Sequence, residues 1–435
     1  MWNPIEGASR ETIEALQLQR LRETVTRVYH LVPFYKAKLD ESGIKPRDID
    51  SLEKLALLPF TLKQDLRNHY PFGLFATPMD QIVRIHSSSG TTGKPTVVGY
   101  TAHDMDVWGE VMARTLKMGN VGPGDVVHNA YGYGLFTGGL GFHYAAERVG
   151  AAVVPSSGGF TKRQLLLMKD FGATVLCCTP SFALHLSEVA REEGYDLKKD
   201  FKLRAGFFGA EPASIGLRNA IKEAWGIEYY EAYGLSEIIG PGVAASCPCG
   251  HLHVAEDHFL PEIINPDTGE VLPEGEAGEL VLTTITKQGL PILRYRTKDI
   301  SRLHREPCKC GRTMVYIDTI KGRSDDMLIV NGVNVFPSQV EHVLTKVEGV
   351  TPNYVIVLEK KGVLDKLEVW VEVDEATMGD GGIGALEGLK KRLENEMLNE
   401  LYINVKIKLV EPKTLERSMG KAQRILDKRD VEKNK

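Results

Sequence analysis

"TVLCCTPSFALHLSEVAREEG", Thr174 to Gly194, changes character at its middle. TVLCC is a continuous apolar run, whereas SFALHLSEVAREEG carries apolar residues at helical spacing. The alternation recurs on both sides. DVVHNA (125–130), AAVVP (151–155), LRAGFFG (203–209) and IEYYEAYG (227–234) read as strands. DMDVWGEVMARTLKM (104–118), KRQLLLMKDFG (162–172) and SIGLRNAIKEAW (214–225) read as the helices between them. This pattern predicts a layered α/β domain with a largely parallel sheet. Ligands on such sheets sit at the carboxyl ends of strands, where the glycine-rich loops of this chain fall.

Toward the amino terminus, residues 10–45 have helical periodicity. From about 250 to 320 the texture changes, and GEVLPEGEAGELVLTTI (269–285) predicts an antiparallel segment. After KGRSDDMLIVNGVNVFP (321–337) the chain reads as a small α+β unit. It holds a hairpin in NYVIVLEKKGVLDKLEVWVEVD (353–374), an amphipathic helix in GALEGLKKRLENEMLNELY (384–402) and a last strand in NVKIKLVEP (404–412). The polar patch Ser324–Asp326 marks the boundary, dividing a large N-terminal domain, 1–324, from a smaller C-terminal domain, 325–435.

With 435 residues, more than one domain is expected. Against 53 basic residues stand 58 acidic ones, a net charge of −5, which excludes a polybasic surface for nucleic acid or anionic membranes. No run of 18 apolar residues and no signal-like start occur, so a soluble cytoplasmic protein is expected. Of the six cysteines, Cys177 and Cys178 sit in an apolar run and read as core. Cys247, Cys249, Cys308 and Cys310 form two C-x-C pairs, each followed by glycine, with His251 and His253 nearby. In a cytosolic chain such pairs point to metal before disulfides. They predict a structural zinc site clipping an insertion near 245–312, with Cys308, Cys310, Cys247 and either His253 or Cys249 as ligands.

HSSSGTTGKP (86–95) is compatible by composition with either a solvated turn or a loop whose backbone amides and Lys94 hold phosphate. Two residues between Gly90 and Gly93, and Pro95 after Lys94, exclude the Walker spacing. YGYGLFTGGLG (131–141) joins aromatic rings to glycines and suits either a flat ligand or a core turn. GAEP (209–212) ends a strand and places Pro212 near the start of a helix. YGLSE (233–237) ends another strand with a carboxylate suited to magnesium. RYRTKD (294–299) reads by itself as a surface ion-pair cluster.

Taken in order, SSSGTTGKP, GAEP, YGLSE, GELVLT, RYRTKD, GRSDDMLIVNGVNVFP and SMGKAQR resemble the adenylate-forming enzymes, the superfamily of acyl-CoA synthetases, adenylation domains and luciferases. RIHSSSGTTGKPTVVGYT, YGYGLFTGGLGFHYAAERVGAAVVP, HLHVAEDHF and GVNVFPSQVE are most similar to the phenylacetate–CoA ligase family, and the likeness runs nearly end to end. The resemblance implies an enzyme that joins an aryl carboxylic acid to ATP, releases pyrophosphate, passes the acyl group to CoA and releases AMP. It also implies a C-terminal domain that rotates between the two half-reactions. An adenylating enzyme with another acceptor, such as a carrier-protein thiol, is the alternative. A zinc-ribbon nucleic-acid binder is opposed by the acidic balance.

By the same resemblance, Ser88, Ser89, Gly90, Thr91, Thr92 and Lys94 cradle the β- and γ-phosphates. Ala210, Glu211 and Pro212 face the adenine, while Glu231, Ala232, Tyr233, Gly234 and Ser236 line the nucleotide out to its α-phosphate. Glu237 holds Mg2+, Asp299 takes the ribose hydroxyls, and Arg323 contacts ribose or phosphate beside a hinge at Asp325. Lys298 stands where many relatives have glycine. Lys421 is the catalytic lysine bridging carboxylate and α-phosphate. Tyr131, Tyr133, Phe136 and Gly209 are expected around the acid, and Val333, Asn334, Val335 and Phe336 around CoA. The implied cofactors are ATP, Mg2+, CoA and Zn2+. The implied partners are these small molecules and a second copy of the chain in a homodimer, with neither nucleic acid nor membrane.

Overall fold

The computed structural model describes residues 1–88, 95–320, 322–324, 328–330, 333–361, 364–380, 383–417 and 424–429. The chain divides into two compact units. Met1–Cys178, Lys198–Ala210 and Ile227–Ile320 form the first, and Thr179–Leu197, Glu211–Gly226 and Lys321–Lys435 the second.

The first unit is built on a nine-stranded sheet. Five strands are parallel, in the order Glu228–Leu235, Ala205–Gly209, Val175–Cys178, Val126–Asn129, Ala152–Val154. The central strands Val175–Cys178 and Ala205–Gly209 are buried throughout, as expected of parallel strands covered on both faces. Beyond Glu228–Leu235 the sheet continues antiparallel through Gly240–Ser246, Leu252–Val254, Tyr316–Ile317 and Leu303–His304. Three further antiparallel strands, Phe259–Ile264, Gly278–Thr284 and Tyr295–Ser301, make a separate sheet. Arg84–Ser87 pairs with Val97–Tyr100 on either side of the Ser/Thr/Gly loop. The long helical reading near the amino terminus resolves into Arg10–Leu31 and Pro33–Glu41. Pro33 lacks an amide hydrogen and starts the second helix, with Val32 extended between the two.

Helix Ala102–Met118 shows how sequence becomes structure here. Thr101 accepts from the Asp104 amide, and Asp104 accepts from the Thr101 amide, so two orphan donors are satisfied reciprocally. The helix then buries Trp108, Val111, Met112 and Leu116.

In the second unit, helices Pro180–Glu192 and Ile215–Trp225 pack together, with Trp225 Nε1 donating to the Ala183 carbonyl at 2.9 Å. Side-chain contacts join them to the C-terminal elements: Ser214 N donates to Glu341 at 2.9 Å, and Lys413 pairs with Glu192 at 2.5 Å. These bonds group the two helices with the C-terminal residues. The hairpin Val350–Lys361 and Leu364–Val373 is flanked by parallel strands Ile425–Asp427 and Lys406–Val410. Its apolar face meets helix Ile383–Leu401 through Leu389, Leu393 and Met397. Among the described residues no helix is long and apolar enough to cross a membrane.

Two histidines of the first unit are buried as neutral rings. His128 Nε2 meets Gln164 Oε1 at 3.0 Å and Ser156 Oγ at 3.0 Å, and His258 Nδ1 meets Thr286 Oγ1 at 2.9 Å. Burial pulls both rings down to about 4 from the ordinary 6.5. Below pH 6.5 the unfolded chain takes up protons that the folded chain refuses, so stability falls as pH drops from 6.5 toward 4, by about 1.4 kcal/mol per unit for each ring. Thermal melts between pH 7.5 and 5 are expected to show this loss, with a shallower slope for His128→Gln. An unchanged slope in that variant would contradict the assignment to His128.

Candidate active site

In the first unit the carboxyl ends of the parallel strands deliver a row of the side chains expected at the site. After Val126–Asn129 comes Tyr131, whose ring stacks on Phe142 with centroids 5.1 Å apart. The Tyr133 hydroxyl lies 2.8 Å from Asn129 Nδ2 and 3.1 Å from His143 Nδ1, and burial pushes this phenol up to about 12, so it stays neutral. Phe136 is 52% exposed. After Ala205–Gly209 the chain turns at Ala210 with φ +70°, a conformation unusual for a residue with a Cβ. At Gly209 a Cβ would lie 2.1 Å from the Ala232 carbonyl oxygen, so only glycine lets these strands meet.

Strand Glu228–Leu235 carries Glu231, Ala232, Tyr233 and Gly234, and the turn beyond it carries Ser236 and Glu237. Glu231 N donates to Ser246 Oγ at 2.6 Å, and Thr319 Oγ1 donates to the Glu231 carboxylate at 3.4 Å. Ser236 Oγ is 3.3 Å from Thr137 Oγ1. The buried Glu237 carboxylate accepts from Thr96 Oγ1 at 3.1 Å, with Lys63 Nζ at 3.7 Å. Thr96 also closes the neck of the Ser/Thr/Gly loop: its amide donates to Ser88 Oγ at 3.0 Å, and Ser88 N donates to its carbonyl at 2.9 Å.

RYRTKD is buried rather than a surface ion-pair cluster. Arg294 pairs with Glu262 at 2.9 Å and Arg296 with Glu279 at 2.6 Å, both against buried carboxylates. Between Glu279 and Val281 the register of the two strands shifts, and Tyr295–Ser301 bulges. Lys298 sits in the bulge at φ +69°, the left-handed region that favours glycine. Its amide donates to Glu279 Oε1 at 3.2 Å, and Asp299 N donates to Thr297 Oγ1 at 3.0 Å. The bulge turns Asp299 to Tyr233, whose hydroxyl donates to the carboxylate at 2.5 Å.

Sequence reasoning missed four contributors: Thr137, Thr96, Lys63 and above all Lys287. Lys287 is 2% exposed and donates to the Ile238 carbonyl at 2.8 Å and the Glu237 carbonyl at 3.4 Å. Burial pulls its amine down to about 8, while Asp104 and Glu237 favour the charged form. Its signal was a lone lysine in the apolar run VLTTITKQGLPIL (281–293).

A second cluster joins the two C-x-C pairs. Cys247, His253, Cys308 and Cys310 hold their ligand atoms within 4.8 Å of one another. Cys247 Sγ and Cys308 Sγ are 3.7 Å apart, and Cys310 Sγ is 3.5 Å from His253 Nε2. His253 Nδ1 meets the Met314 carbonyl at 3.0 Å, which places the proton on Nδ1 and leaves Nε2 free to ligate. Cys249 is exposed and outside the group. Burial works against the Cys310 thiolate, but main-chain and guanidinium donors of Arg312 outweigh it and lower that thiol.

Ser89, Gly90, Thr91, Thr92, Lys94, Asp325 and Lys421 lie outside the described residues. Glu211, Pro212, Arg323 and Val333–Val335 with Phe336 belong to the second unit. There Glu211 Oε1 accepts from Ser181 N at 2.6 Å, and Val333–Val335 pairs antiparallel with Leu328–Val330. Pro212 does not begin the next helix. Ser214, whose side chain accepts from Leu217 N, caps a helix that starts at Ile215.

Two family profiles match the chain: AMP-binding enzyme over residues 10–286, and AMP-binding enzyme C-terminal domain over 332–429. A phenylacetate-coenzyme A ligase of Thermus thermophilus is 48% identical, with 99% of this chain and 100% of that protein covered. One of Escherichia coli is 46% identical, covering 99% and 98%. A crystal structure of 2-hydroxyisobutyryl-CoA ligase in the postadenylation state superposes with a TM-score of 0.92 at 28% identity, covering 99% of this chain and 92% of that one. The same ligase with 2-HIB-AMP and CoA in the thioesterification state gives 0.71 at 29% identity, with the same coverage.

The left-handed Lys298 generates a stability prediction. Lys298→Gly relieves about 1–2 kcal/mol of backbone strain and loses about 1 kcal/mol or less to glycine entropy and the 3.5 Å pair with Glu279. Denaturant unfolding is expected to show a net gain of about 0.5–1 kcal/mol. A loss of stability would mean that the bulge depends on the lysine side chain.

Proposed function

This chain belongs to the AMP-binding enzymes and, within them, to the family of the phenylacetate–coenzyme A ligases, and from that membership we propose that it activates an aryl carboxylic acid, phenylacetate first among them, as an acyl-adenylate and transfers the acyl group to CoA. The observation that carries the reading is the Tyr233–Asp299 pair: Tyr233 lies near the carboxyl end of a parallel strand, and the Lys298 bulge of an antiparallel strand brings Asp299 to it. A carboxylate held there suits two ribose hydroxyls, and the adjoining tyrosine ring suits a base.

In the first half-reaction a substrate carboxylate oxygen attacks the α-phosphorus, the bond to the β-phosphate oxygen breaks, and pyrophosphate leaves. The developing negative charge calls for fixed donors and cations rather than proton transfer. Ser88, Ser89, Gly90, Thr91, Thr92 and Lys94 are assigned to the departing phosphates, Ser236 to the α-phosphate and Lys421 to the bridge between carboxylate and phosphorus. The Glu237 carboxylate, buried and met by Thr96, would supply one oxygen ligand to magnesium. Magnesium, when bound, neutralises charge on the triphosphate. In the second half-reaction the CoA sulfur attacks the acyl carbon and AMP leaves. Residues 333–336 are assigned to CoA and Asp325 to the hinge between 1–324 and 325–435. Tyr131, Tyr133 and Phe136, with Gly209 leaving room, are assigned to the aromatic acid.

We read the Cys247, His253, Cys308 and Cys310 group as a structural zinc site. Zinc in tetrahedral coordination spaces two thiolates by about 3.8 Å and a thiolate and imidazole nitrogen by about 3.6 Å. The 3.7 Å and 3.5 Å separations support that geometry. Four protein ligands leave no open position, so the ion would serve folding alone.

The deciding experiment incubates the purified chain with ATP, Mg2+, CoA and a panel of aryl and alkyl acids while AMP and acyl-CoA are measured. Aryl-acid-dependent formation of both is expected; AMP without acyl-CoA would favour another acceptor, and no acid-dependent AMP would sink the reading. Lys421→Ala is expected to cut ATP–pyrophosphate exchange by about 10²–10³ or more while largely sparing transfer from supplied acyl-adenylate, and equal loss of both would remove its role. Metal analysis should find about one zinc per chain, lost in Cys308→Ser and kept in Cys249→Ser.

A further inference from the structure

The turn that carries Glu237 is held from behind. Its Ile238 and Ile239 amides donate to the Leu235 carbonyl at 3.1 and 3.2 Å. Its own carbonyls then need partners, and three consecutive ones find them in other segments. Lys287 Nζ serves Glu237 and Ile238, and the Tyr100 hydroxyl serves Ile239 at 3.1 Å. The amine also lies 4.7 Å from the Tyr100 ring centroid. Tyr100 belongs to strand Val97–Tyr100, so the same contact ties the turn to that strand.

The charges around the amine point the same way. Lys287 is faced by the carboxylates of Asp104 and Glu237, all three buried. Asp104 is already committed to the amides of Thr101, Gln288 and Gly289. Lys63, the other cation near Glu237, is exposed, where water screens it. Among the described residues, one buried cation faces two buried carboxylates. That excess of buried negative charge would favour a divalent ion beside Glu237.

We propose that Lys287 is a positioning residue that holds the Glu237 turn ready for magnesium-bound ATP, and that it therefore acts on adenylation and not on transfer to CoA. The proposal rests on the reading of Glu237 as the magnesium-side carboxylate. Lys287 meets the turn through its main-chain carbonyls. It acts through the two carbonyls it holds, and removing it leaves those carbonyls without their donor and takes a buried cation from beside Asp104.

The test compares wild type, Lys287→Met, Glu237→Gln and the double variant as full-length protein. Lys287→Met is expected to raise the Mg2+ concentration for half-maximal ATP–pyrophosphate exchange about 10–100-fold, while transfer from supplied phenylacetyl-adenylate stays within about threefold. In the nucleotide-free chain, amide exchange at 235–239 should quicken about 10–100-fold, the worth of a charge-assisted hydrogen bond. In the Glu237→Gln background the further effect of Lys287→Met on exchange should vanish. Additive effects, or equal loss of both half-reactions, would overturn the proposal. A Glu237→Gln variant with ordinary magnesium dependence would instead defeat the reading of Glu237. Should Lys287→Met not fold, Tyr100→Phe carries the test, since it removes one donor and keeps the ring. A smaller shift in the same direction, absent with Glu237→Gln, supports the proposal, and no shift defeats it.

Discussion

Asp104 is fully buried, and a buried carboxylate is tolerated only when it is hydrogen-bonded and paired. The chain meets that demand from two places. Thr101, the N-cap of helix Ala102–Met118, donates its amide to Asp104, which closes the capping box from the third helical position. Gln288 and Gly289, far along the sequence, donate at 2.6 and 2.8 Å and bring Lys287 with them. A single charge thus starts a helix, anchors the segment 287–289 beside it and keeps a buried amine charged. That amine in turn holds the turn that presents Glu237.

The same economy appears at Glu279, which is wholly buried between Arg296, Lys298 and the Lys298 amide. Satisfying that carboxylate stabilises a bulge that costs strain at Lys298, and the bulge aims Asp299 at Tyr233. Local strain beside Asp299 is offset by a buried ionic contact one strand away. The cysteine cluster follows a related logic at longer range. Arg312 donates to the Cys310 sulfur and to Glu6, and the Thr313 amide donates to the Glu6 carbonyl. The loop that carries Cys308 and Cys310 is therefore also the seat of the first residues of the chain.

Much of this was legible beforehand. The parallel strands announced themselves because burial on both faces demands unbroken apolar runs, and TVLCC and LRAGFFG are such runs. The C-terminal hairpin and its helix were visible in their alternating and helical periods. The individual positions expected around a nucleotide rest only on the order of motifs, since composition alone left HSSSGTTGKP divided between a turn and a phosphate loop. RYRTKD misled because charge patterns read as solvent-facing unless their partners are known, and Glu262 and Glu279 lie on other strands. Pro212 misled because a proline marks a helix start only when no better cap follows, and Ser214 follows.

The sequence by itself determined the alternation of elements, the family and the residue types its chemistry requires, because hydrophobic period and motif order are written along the chain. It did not determine that His253, rather than Cys249, completes the sulfur cluster. That depended on strand Leu252–Val254 pairing with Tyr316–Ile317, which carries the ring to Cys310 and the Met314 carbonyl. Nor did it determine that Lys287 stands behind Glu237. A lysine in an apolar run is costly wherever it lands, and only the tertiary structure decides which carbonyls and carboxylates it must find.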